Sequence, residues 1–136
     1  MIQVKSISLS DSMRLIQAAE KKAHEISSPS NIAVVDVGAS LLAFVRMDNA
    51  PLGSIYHAQD KAFTSCALRS ATINLSADAQ PGGSLYGLAG SIQGRVITFA
   101  GGIPLLHDGQ VIGAIGISGG SADQDQVVAE AAVQAF

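Results

Sequence analysis

The sequence predicts an α+β fold: a five-stranded, largely antiparallel sheet flanked by helices, in the order α-β-β-α-(loop or short α)-β-β-β-α, spread over residues 1–136 as one domain. Three observations carry that prediction. Two segments open with a serine capping signature and continue with apolar residues at steps of three or four, which marks the first and last helices. β-Branched and apolar runs are split by the short turns Gly38-Ala39 and Asp108-Gly109, and such pairs read as hairpins. Regular strand–helix–strand alternation is missing, which argues against a parallel sheet.

Taken in order, Ser8 followed by Asp11 caps a helix from Leu9 to about Ile26, with Met13, Ile16, Ala19, Ala23 and Ile26 as its buried stripe. Pro29 stops it, because the residue before proline disfavours helix. Asn31 to Val37 and Ser40 to Asp48 form the first hairpin. Pro51 and Gly53 break the second strand, and Ser54 to about Ala71 resumes a helix with Ile55, Ala58, Ala62 and Cys66 on one side. Asn74 to Ser91, rich in Gly and Pro, reads as a mobile loop with at most one short helix. Val96 to Ala100, Ile103 to His107 and Gln110 to Ser118 complete the strands. In the last of them Ala114, Gly116 and Ser118 share one face, small enough for a packed helix or a ligand to come close. Ser121 and Gln124 cap the closing helix, which packs through Val128, Ala131, Ala132 and Ala135.

Composition narrows the function. The chain is 48% hydrophobic but only 14% charged and 4% aromatic, so its core is aliphatic, and its low charge suggests a surface covered by copies of itself. A net charge of −3 and the lack of any Lys/Arg run remove the footprint needed to neutralise phosphates, so nucleic acid is not an expected partner. No apolar stretch approaches the roughly 20 residues of a bilayer span, and the N-terminus reads as the start of a helix rather than a leader, so a cytoplasmic protein without membrane contact is expected. Cys66 is the one cysteine, and among Ala67 and Leu68 it reads as a small buried hydrophobe.

Several side chains are candidates for chemistry. The two-residue strand period aligns Leu42, Phe44, Arg46 and Asp48, so an apolar face ends in a guanidinium beside a carboxylate. That pair is either a solvated ion pair or a site for an organic carboxylate, which Arg is built to grip with two hydrogen bonds. His57, Lys61 and Ser65 recur at steps of four on the next helix, near Asp60 and Thr64, as a wet helix face or an anion-holding, proton-moving surface. His24 stands four residues after Glu20, a spacing that suits a surface contact or half of a metal site, while His107 precedes a turn and points to water. Scattered histidines without H-E-x-x-H give no metal site, and no nucleotide loop or nucleophile elbow is present.

Ile32-Ala33-Val34-Val35-Asp36, Arg46-Met47-Asp48-Asn49-Ala50, Lys61-Ala62, Gly101-Gly102-Ile103-Pro104-Leu105, Ile112 to Gly120 and Gln124-Asp125, in that order and spacing, resemble the GlcG/HbpS family, which includes the C-terminal domain of PduO-type proteins. Asn49 departs from the glycine usual after R-M-D, though Asn also tolerates the left-handed conformation. The resemblance implies the five-stranded sheet, assembly into dimers or larger rings, and for some relatives haem.

Two functions are in view. One is an oligomeric binding protein for haem or another small acidic molecule, with Arg46, Asp48, His57 and Lys61, and Gly101 and Gly102 of the signature, around the ligand and His24 or His57 as haem ligand. The other is a cofactor-independent enzyme on a small organic acid, in which Asp48 or His57 moves a proton and Lys61 stabilises an anion or attacks a carbonyl.

Overall fold

The computed structural model describes all residues, Met1–Phe136. Helix α1 spans Leu9–Glu25, strands β1 and β2 Asn31–Asp36 and Leu41–Arg46, helix α2 Ser54–Ala67, strands β3 and β4 Gly102–His107 and Gln110–Ser118, and helix α3 Ala122–Gln134. Both capping boxes form: the Asp11 N–H donates to Ser8 Oγ at 3.1 Å and the Gln124 N–H to Ser121 Oγ at 3.2 Å. The stripe of α1 is turned slightly from the expected one, with Ser12, Leu15, Ile16, Ala19 and Ala23 buried and Met13 exposed. The second helix stops at Ala67, short of Ala71, and the segment after it contains three short 3₁₀ turns.

The sheet has four strands in the order β2-β1-β4-β3, all neighbours antiparallel, which corrects the expectation of five. The missing strand is Val96 to Ala100. It pairs with no strand, and α2 holds its start instead: Thr64 Oγ1 donates to the Arg95 carbonyl and accepts from the Ile97 N–H at 3.0 Å. Just beyond it, Gln126 Oε1 accepts from the Gly101 N–H at 3.1 Å. A segment pinned near both ends to α2 and α3 follows those helices rather than the ladder.

Helices cover both faces. On one, α1 and α3 pack over Ile32, Val34, Ile115 and Ile117, the larger core. On the other, α2 lies over Ala33, Val35 and Ala114. The small face of β4 therefore meets a helix: a Cβ on Gly116 would collide with the Ala58 carbonyl and the Ala62 N–H. Backbone-to-sheet approach of this kind needs a residue without a side chain.

The expected face of β2 is interrupted. Val34 pairs with Ala43 and Val35 with Leu41, so Leu42 is a bulged extra residue. Leu42 consequently packs with Ala43 and Val45 on the α1/α3 side, while Phe44 packs on the α2 side. Past Arg46 the strand ends, and buried Met47 accepts the Ser30 N–H on its sulfur at 3.4 Å. Asn49 takes φ 69°, so the turn keeps the left-handed conformation without glycine. No helix is long and apolar enough to cross a membrane.

Candidate ligand-binding site

Helix α2 carries two of the candidate residues, His57 and Lys61. It has no side-chain N-cap, and its first turn leaves Tyr56 and His57 exposed. The His57 ring makes no hydrogen bond within the chain; it stands edge-to-face to Phe99, centroids 6.3 Å apart at 83°. Phe99 is 43% exposed, and Leu52 and Tyr56 are more so, which gives this end of α2 an apolar, aromatic surface beside a free imidazole.

One turn further on, Lys61 departs from the expected wet face. Its side chain is fully buried, the largest such side chain in the protein. The ammonium donates to Asp125 Oδ2 at 2.8 Å and to the Ile117 carbonyl at 2.8 Å, and lies 5.1 Å from the centre of the Phe99 ring. Asp125 uses its other oxygen to accept the Gly120 N–H at 3.0 Å. Burial pushes the Lys61 ammonium below its ordinary range, and the hydrogen bond and charge of Asp125 oppose that push. The pair thus joins α2, β4 and the first turn of α3, and it underlies the aromatic surface instead of facing solvent.

Gly101 and Gly102 belong to the same packing. A Cβ on Gly101 would press on the Ile117 carbonyl and the Lys61 ammonium, and one on Gly102 on the Lys61 carbonyl and Thr72. Both glycines are buried. Arg46 and Asp48 are exposed at the end of β2, and no ion pair joins them, because Asp48 lies in the turn after the strand. Arg46 pairs in register with Asn31, and two strands, β1 and β4, stand between it and β3 in the sheet.

The other histidines differ. His24, exposed in the last turn of α1, has Nε2 3.6 Å from Glu20 Oε1. His107 stands beside the β3–β4 turn with Nε2 3.0 Å from Lys5 Nζ. Asp125 and Phe99 were not among the expected site residues. Asp125 reads in sequence as a helix-dipole charge, and nothing in a 64-residue separation pairs it with Lys61. A signal for Lys61 was present, since position 61 falls between Ala58, Ala62 and Ser65 on the helix stripe that is buried.

The chain and its fold are similar to known proteins. The 15.0 kDa protein of the dhaT-dhaS intergenic region of Citrobacter freundii is 42% identical over 134 residues, covering 98% of this chain and 94% of that one. The crystal structure of Klebsiella pneumoniae ORFY superposes with a TM-score of 0.98 at 41% identity, over 100% of this chain and 94% of that one. The crystal structure of a PduOC–haem complex superposes with a TM-score of 0.93 at 40% identity, over 96% of this chain and 95% of that one. Residues 7–134 match the family described as haem degrading protein HbpS-like, and the chain belongs to that HbpS-like family.

Proposed function

We propose that this chain is a cytoplasmic, homo-oligomeric protein that binds haem, or another small molecule bearing carboxylates, at the exposed end of α2. The observation that carries the reading is the free His57 imidazole on an open aromatic surface, in a chain 40% identical to a protein crystallised with haem. An axial ligand needs a ring nitrogen that is not already engaged. His57 meets that condition at both nitrogens; His24 and His107 engage only Nε2, with Glu20 and Lys5, so what singles out His57 is the aromatic surface around it. Bound haem supplies an iron with an axial position and two propionates. His57 would hold the iron, Phe99 and Tyr56 would lie against the apolar macrocycle, Arg46 would take a propionate, and Asp48 would border the polar margin away from the carboxylates. Lys61, Gly101 and Gly102 act from beneath, keeping Phe99 and the start of α2 in place.

Oligomerisation is part of the proposal because a macrocycle on an open surface needs cover on its second side. Exposed Leu52, Tyr56 and Phe99 suit packing by a second copy, and the low surface charge permits it. Haem titration followed by the Soret band tests the reading. A red-shifted band that saturates is expected; His57→Ala weakens binding tenfold or more and His24→Ala does not. A wild-type protein that leaves the spectrum of free haem unchanged overturns the haem reading, and an unaltered spectrum in His57→Ala overturns the axial assignment.

A further inference from the structure

We propose that the groove at the opposite end of α2, between the N-terminal arm and the β3–β4 hairpin, is a second binding site, for a small organic anion with an apolar body. The groove has a volume of about 760 Å³, within the range of small-molecule sites. It is remote from His57: twelve residues of α2 and its cap place Arg69 roughly 18 Å further along the helix axis, at about 1.5 Å per residue.

The charge lining it runs against the rest of the molecule. The chain has 11 acidic residues to 8 basic ones, yet Lys5 and Arg69 line this groove with Asp108 as the sole carboxylate. Lys5 is partly occupied, 3.9 Å from Asp108 and 3.0 Å from His107. Arg69 takes part in no ion pair. Its guanidinium is exposed, with no carboxylate of the chain on it, so it is open to a ligand carboxylate that suits its two-pronged donor geometry. Val37, Val111 and Ile112 line the groove around it and supply apolar contact.

Arg69 stands where the backbone favours a different residue. Helix α2 ends in a complete Schellman motif: the Ser70 N–H donates to the Ser65 carbonyl at 3.1 Å and the Arg69 N–H to the Cys66 carbonyl at 3.3 Å. The residue at that corner must be left-handed, and Arg69 has φ 53°. Glycine adopts this conformation without strain, and a long cation does not. Ser27 fills the same corner at the end of α1, so what sets Arg69 apart is a cation placed at the lip of the groove with no carboxylate of the chain paired to it.

The groove also contains its own reporter. Cys66, the single cysteine, lines it at 5% exposure, its thiol donating to the Asp36 carbonyl at 3.3 Å. The test uses benzoate as the probe, benzamide as its uncharged counterpart and inorganic phosphate as an anion without an apolar body. Calorimetry measures binding, and iodoacetamide alkylation of Cys66 measures occupancy. Benzoate is expected to bind and to slow alkylation at least threefold, with no such effect from benzamide or phosphate. Arg69→Gly is expected to weaken benzoate tenfold or more while its melting temperature stays at or above that of the wild type, so loss of binding is not loss of fold. Equal protection by benzamide, protection by phosphate alone, unchanged benzoate binding in Arg69→Gly, or no protection by benzoate each overturns the proposal.

Discussion

Lys61 Nζ and Asp125 Oδ2 lie 2.8 Å apart with side chains 0% and 4% exposed, so two opposite charges 64 residues apart in sequence are removed from water together. Removing one partner leaves the other buried and unpaired, which typically costs about 3–5 kcal/mol. Lys61→Met and Asp125→Leu each lower stability by that order in urea unfolding. The double variant regains most of the loss, because a packed apolar pair replaces a desolvated ionic one.

The same lysine makes stability depend on pH. Its folded-state pKa lies below the ordinary 10.5, so between the two values the unfolded chain holds a proton that the folded chain has released. Raising pH through that window favours folding. The stability of the wild type relative to Lys61→Met therefore rises with pH on the alkaline side and levels off above about 10.5. Urea midpoints of the two proteins across that range provide the check.

At the first helix the sign is reversed. Hydrogen bonds from Ser8 hold the Asp11 carboxyl below its ordinary 3.8, so its contribution is present above that value and disappears as pH falls through the lower, folded-state value. Asp11→Asn abolishes this part of the acid dependence. Ser121→Ala, which removes the matching cap from α3, costs about 1 kcal/mol at any pH by denaturant titration.

Gly116→Ala places a methyl group against the Ala58 carbonyl and the Ala62 N–H. Neither is the end of a flexible side chain, so α2 must shift as a body. Overpacking of this type costs about 1–3 kcal/mol. Unfolding by urea measures the loss, and a weaker Phe99–His57 contact follows because both depend on the seat of α2.

Burial pushes the Cys66 thiol up, with the backbone hydrogen bond at Ala39 acting against it. Only the thiolate reacts readily. Alkylation by iodoacetamide near neutral pH is expected to run more than tenfold slower in the folded protein than in urea.

Where local rules decide, the sequence was a sufficient guide. The Ser8 and Ser121 caps, the Asp108-Gly109 turn, the left-handed Asn49 and the small face of β4 all follow from the chemistry of a few adjacent residues. Val96 to Ala100 misled for a physical reason: its β-branched, apolar composition suits a strand, but Thr64 takes the Ile97 N–H and Gln126 the Gly101 N–H just after it, pinning the segment to the helices. Leu42 misled through the bulge, which a two-residue period has no means of showing. The site was legible one residue at a time. His57 and Arg46 are exposed as read, whereas the partnership of Lys61 with Asp125 joins distant segments and is visible only once the sheet has brought β4 and α3 together.

That partnership also fixes the rotational phase of α2. The glycine-and-alanine bed beneath the helix offers little to stop it turning about its axis, since small side chains interlock weakly. The long Lys61 side chain, anchored on Asp125 and Ile117, supplies the torque resistance that the bed lacks. His57 one turn earlier and Arg69 two turns later then project at set angles, so the ligands proposed for the two ends would meet side chains already aimed. Freed of that anchor, the helix would keep its place on the sheet but lose its bearing.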